Sequence, residues 1–200
     1  MDPVSFNHLT EVILGVQITT MPKTQFLAYT AVFSALLAVF SFIRVPMPPP
    51  LYSVSLFTLG IYTVAVLFGP YIGFLAGAIG GALAEMTAPE TSALFVISAF
   101  VAKGAGGLVI GYLRSIAKPL SRLNPSGTAT IVGESFALVI GRFVELAIFF
   151  AIDAQLHGFG PALTDFMGLV TLVFAIPVGA IVNAAMRKGL RRQYFDRRAA

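Results

Sequence analysis

The chain has no cysteine and no tryptophan, only two histidines, and charged residues fill just 11% of its 200 positions. Without cysteine it holds no disulfide scaffold, no thiolate-ligated zinc or iron–sulfur cluster and no thiol nucleophile. His8 and His157 stand far apart in dissimilar settings, so no metal site resting on imidazole is expected, and no cofactor. The phosphate-cradling pattern GxxxxGK[ST] is missing, as are a GxSG serine, a paired-aspartate metal motif and HExxH, which disfavours an ATPase or an intramembrane enzyme. Also missing from "MDPVSFNHLTEVILGVQITTMPK" is a basic leader followed by an apolar core and a small-residue cleavage site, so no secretory signal peptide is expected. Phe6 to Val16 reads either as a short helix on a membrane surface or as a flexible lead-in.

What fills the chain instead is apolar. Hydrophobic residues make up 57% of it and mean hydropathy is +0.87, a balance foreign to soluble globular domains and expected of an integral membrane protein. The net charge of +4 does not imply a nucleic-acid partner, because the basic residues gather in the tail "RKGLRRQYFDRR" behind a long apolar segment. A spanning helix needs about 20 mainly apolar residues. Six stretches qualify: Thr24–Ile43, Tyr52–Phe68, Tyr71–Met86, Ser92–Leu113, Ile131–Ile152 and Met167–Met186. The reading is an all-α, six-helix transmembrane bundle over residues 24–186, preceded by an N-terminal segment, 1–23, and followed by a basic tail, 187–200. No alternation typical of a membrane barrel and no internal repeat interrupts that pattern.

Basic residues set the direction. Lys23 precedes the first span, Arg114, Lys118 and Arg122 follow the fourth, and six arginines and lysines follow the last. The positive-inside rule makes these segments, and both termini, cytoplasmic in a cell membrane. "RVPMPPP", "TAPET" and "DAQLHGFGPALTDF" then lie outside, with Arg44 the exceptional basic residue among them.

Five charges fall within spans, where an ionised side chain at the bilayer centre costs about 2.5–3.5 kcal/mol on insertion scales. Lys103 and Arg142 sit near the middles of spans four and five, Glu145 one turn beyond Arg142, and Glu85 at the outer end of span three. Glu134 is placed near the cytoplasmic start of span five, close to water. Gly73, Gly77, Gly81 and Glu85 recur every fourth residue, as do Lys103, Gly107 and Gly111. Each charge thus continues a small-residue stripe of the kind that lets membrane helices approach closely. Helical side chains lean toward their own N-terminus, which brings Lys103 and Glu145 toward one depth in the outer half. The expectation is that Lys103, Glu145 and Arg142 bracket a polar, outward-opening cavity with Glu85 at its rim, suited to a small polar or zwitterionic ligand. The alternative is that Arg142 and Glu145 neutralise each other and Lys103 donates to a neighbouring backbone. Asn183, after Pro177 and Gly179, either faces the same cavity or hydrogen-bonds a neighbouring helix. In span one, Ala28, Ala31, Ala35 and Ala38 form a smooth ridge, a surface for docking on this bundle's own helices or on another membrane subunit.

The stretch "GPYIGFLAGAIGGALAEMTAPETSALFVISAFVAKGAGGLVIGYL", Gly69 to Leu113, resembles the substrate-binding S components of energy-coupling factor (ECF) vitamin transporters. Many of those carry a "GP..G...G..G..L" third helix and a fourth helix ending in "KG..G...G". The Ala31-x-x-x-Ala35 pair and "IPVGAIVN" in span six add to the likeness. The resemblance implies capture of a vitamin or related micronutrient from outside, an associated transmembrane coupling protein, and two ABC ATPases. It also implies that the alanine face meets the coupling protein and that the loop after span one is a lid, with Arg44 closing over an anionic group. Glu85 stands where relatives often carry aspartate. Without tryptophan to stack on a flat ring a flavin-like ligand is disfavoured, although Tyr52, Tyr62 and the phenylalanines remain able to stack. Two rivals are a stand-alone secondary carrier and a structural membrane scaffold of similar fold, neither of which needs ATPases.

Overall fold

The structure, a computed structural model, describes residues 22–46, 53–87, 93–123, 128–160, 162, 175–179, 181–183 and 185–186. Helix α1, Lys23–Phe42, begins directly after Pro22, whose carbonyl accepts the Phe26 N–H at 3.1 Å. Ile43 turns extended and leads into strand β1, Arg44–Pro46, which pairs antiparallel with β2, Ser53–Ser55. Arg44 lies opposite Ser55 and Pro46 opposite Ser53.

This strand pair corrects the second predicted span. Its helix, α2, covers only Phe57–Phe68, because the serine-flanked residues before it are extended. Ser55 stitches the junction: its hydroxyl accepts the Phe57 N–H at 3.1 Å and donates to the Phe40 carbonyl at 3.3 Å. At about 1.5 Å per residue α2 is shorter than the hydrocarbon core of a bilayer.

Gly69, at φ +93°, makes the turn from α2 into α3, Pro70–Met86. A positive φ is open to glycine without a Cβ clash, and Pro70 then opens the next helix where its missing N–H costs nothing. Helix α4 spans Ala93–Leu123 and α5 spans Thr128–His157, each overrunning its predicted span at the C-terminal end. Residues 175–179, 181–183 and 185–186 are helical as well. The rest of the predicted sixth span lies outside the described residues, as do the N-terminal segment 1–21 and the basic tail. Lys23–Phe42, Ala93–Ser115 and Ile131–Leu156 are long and apolar enough to cross a membrane, and α2 and α3 are shorter apolar helices.

Helix α3 sits between α1 and α4, and glycine is the reason it fits. Lipid offers no hydrophobic drive for helices to associate, so contact rests on close van der Waals packing. A Cβ on Gly80 would meet Leu37 and the Ser34 carbonyl of α1 at 2.9 Å; one on Gly73 or Gly77 would meet the Gly107 or Lys103 carbonyl of α4 at 2.9 and 2.8 Å. The two small-residue stripes therefore face each other. At the Gly69 end, Gly111 backs directly onto Pro70, and between α4 and α5 the pair Gly106 and Gly141 does the same.

Around these contacts lie two apolar clusters. Leu37, Phe57, Ile61, Val64, Ile72 and Ala76 fill the space among α1, α2 and α3. Tyr62, Ala65, Val66, Ile110, Leu138 and Ala175 join α2, α4, α5 and the C-terminal helical residues. Large apolar side chains such as Leu27, Val32, Ile97, Val132 and Phe136 point outward. That distribution suits a bundle immersed in lipid.

Candidate functional site

At the end of the bundle that carries the strand pair, four helices deliver side chains to one point. Lys103 rises from α4 across Gly81, and its ammonium donates to Glu85 Oε1 of α3 at 3.0 Å. The same nitrogen lies 4.7 Å from the centroid of Phe57, from α2, and 5.9 Å from that of Phe149, from α5. Aromatic faces attract a cation at such distances. The lysine in the glycine-studded part of the fourth helix is thus compensated by one carboxylate and two rings.

Its partner differs from the expected one. Glu145 does not share in this pair: its Cβ lies beside Gly106, a turn further along α4, and its Oε1 accepts from Arg142 Nη1 at 2.6 Å. The simple neutralisation along α5 is the arrangement observed. Glu85 is an ion-pair partner and not a bystander at a rim.

Two acidic residues occupy settings that hydropathy did not suggest. Glu134, expected near water, is fully buried and meets Arg114 Nε at 2.7 Å. This third ion pair lies toward the opposite, Gly69 end, where Tyr112 donates to the Tyr71 hydroxyl at 3.1 Å. Asp153, assigned by hydropathy to an outer loop, instead lies inside α5 and is 2% exposed. Neither of its oxygens has a hydrogen-bond partner among the described residues. The signal available in the sequence was spacing: Arg142, Glu145, Phe149 and Asp153 recur at three, four and four residues and so share one face of α5.

The remaining candidates are more dispersed. Arg44 is exposed on β1. Tyr52 lies outside the described residues. Asn183 is fully buried without a hydrogen-bond partner among the described residues. It follows Gly179, which packs on the Tyr62 ring. On α1 the buried positions are Thr30, Ser34 and Leu37; Ala28, Ala31 and Ala35 are exposed and Ala38 is half-buried. The alanine ridge thus turns away from α3. Among the described residues no three His, Cys, Asp or Glu gather as a metal site.

Apolar helices joined through glycine, with charged and aromatic groups converging at one end, define a helical membrane protein with an internal polar cluster. A family model described as the ECF-type riboflavin transporter, S component, matches residues 21–192, and the chain belongs to that family, a family of transporter subunits and not of enzymes. The chain is also 28% identical over 147 residues, 73% of its own length and 90% of the relative's, to a Pyrococcus woesei protein described as "Uncharacterized protein in gap 3'region".

Proposed function

We propose that this chain is the substrate-capture subunit of an ECF-type importer for riboflavin. It takes the vitamin at the strand-pair end and passes it inward with a transmembrane coupling protein and two ABC ATPases. The observation that carries the reading is the convergence of Lys103, Glu85, Phe57 and Phe149 from four helices in a chain of this family. A flat isoalloxazine ring has polar edges and apolar faces. Phenylalanine rings suit the faces, and the ammonium–carboxylate pair suits the edge, so tryptophan is not needed.

Arg142 and Glu145 line the same face of α5 one to two turns below Phe149, and Arg44, Tyr52 and Asn183 complete the proposed ligand set. The basic segments around Lys23, Arg114 and the tail support a cytoplasmic Gly69 end by the positive-inside rule. The strand pair then faces outward across a plasma membrane. Exposure of Ala28, Ala31 and Ala35 supports α1 as the face that meets the coupling protein.

The test is to purify wild type and Lys103→Ala in mild detergent, denature both, and identify released molecules by mass spectrometry and flavin fluorescence. Riboflavin near one per chain from wild type, and little from the variant, is expected. Wild-type protein that is repeatedly empty and quenches no added riboflavin refutes the assignment.

A further inference from the structure

The Lys103–Glu85 and Arg142–Glu145 pairs are each internally neutral, which leaves Asp153 as the buried charge with no counterpart among the described residues. Burying a carboxylate without hydrogen-bond donors is among the most expensive arrangements a fold can hold. Its place is informative as well. Asp153 lies one helical turn beyond Phe149 on the same face of α5, and the Phe149 ring flanks the Lys103 ammonium. Asp153 therefore lies on the Phe149 face of α5, one turn further toward the strand-pair end than the cluster assigned to the ligand.

We propose that Asp153 is a ligand-binding residue whose two oxygens accept hydrogen bonds from a pair of adjacent hydroxyl groups on the substrate. One feature favours a neutral diol over a cation: both carboxylate oxygens lack partners among the described residues, and neighbouring hydroxyls are spaced to engage both at once. Resting on the riboflavin reading, this assigns the ring to the Lys103 level and the polyol chain to the Asp153 level.

The experiment compares riboflavin with lumiflavin, which carries the same ring without the polyol, by fluorescence-quenching titration of purified wild type and Asp153→Asn. Wild type is expected to prefer riboflavin. Asp153→Asn is expected to lose about tenfold to a hundredfold in riboflavin affinity, the loss typical of hydrogen bonds to a charged acceptor, while lumiflavin affinity stays within about twofold. Unchanged lumiflavin binding also shows that the variant is folded. Asp153→Glu, which keeps both acceptors, is expected to recover part of the preference. Equal losses for both flavins, or no loss for riboflavin, overturn the role of Asp153 while leaving the riboflavin assignment in place. Wild type that binds neither flavin overturns both.

Discussion

The Lys103–Glu85 pair offers the sharpest test of the physical reasoning. At 3.0 Å and an effective dielectric of about 20, the Coulomb attraction is roughly 5 kcal/mol before desolvation is subtracted. The side chains are 13% and 29% exposed, between a surface pair, worth under about 1 kcal/mol, and a fully buried pair, whose disruption costs about 3–5 kcal/mol. Removing one partner alone, as Lys103→Met or Glu85→Leu, is therefore expected to cost about 2–4 kcal/mol, because the other charge is left stranded beside apolar rings. For a chain of this size that is a fall of roughly 5–15 °C in melting temperature, measurable by size-exclusion thermostability in detergent. Removing both should cost less than the sum of the singles by about 2 kcal/mol, the signature of direct coupling. Strictly additive losses, or a Lys103→Met protein as stable as wild type, would show that the lysine does not depend on Glu85.

Other substitutions probe other contacts. Gly107→Ala drives a methyl group into the Gly73 carbonyl, and the backbone there has nowhere to yield, so α3 and α4 should separate at a cost of about 1–3 kcal/mol; the melting temperature of the ligand-free protein reads this directly. Glu134→Gln strands Arg114 and should destabilise by about 3 kcal/mol or more. Because that pair lies toward the Gly69 end, riboflavin affinity should stay near wild type, and a matching loss of affinity would contradict the separation of the two polar regions. Ala31→Leu with Ala35→Leu roughens the exposed face of α1 and should abolish co-purification with the coupling protein without weakening ligand capture. Survival of the complex would place the interface elsewhere.

The glycine stripes show how far a linear pattern reaches. A four-residue repeat fixes which face of a helix is smooth, and membrane helices associate through smooth faces, so the close-packing faces of α3 and α4 were legible from Gly73, Gly77, Gly81, Gly107 and Gly111, while their meeting each other was shown by the structure. The family likeness was legible in the same stretch. The extent of α2 was not, because Ser53 to Ser55 are as compatible with an apolar span as with a strand until their partner at Arg44 is known. Asp153 was misplaced for a related reason: hydropathy ends a span where the apolar run gives way to Asp153, Gln155 and His157, whereas a helix continues for as long as its backbone bonds do.

Composition and periodicity by themselves determined the membrane setting, the positions of most helices and the inward faces of α3, α4 and α5. The sequence also marked Lys103 as a charge requiring a partner. Only the tertiary structure decided that the partner is Glu85, that Glu145 belongs to Arg142, and that Glu134 and Asp153 are buried. The reason is geometric. Sequence spacing fixes rotation about a helix axis, but the axial offset between two helices depends on where their backbones lock together. One turn of offset between α4 and α5, set by Gly106 against Gly141, suffices to exchange one carboxylate for another.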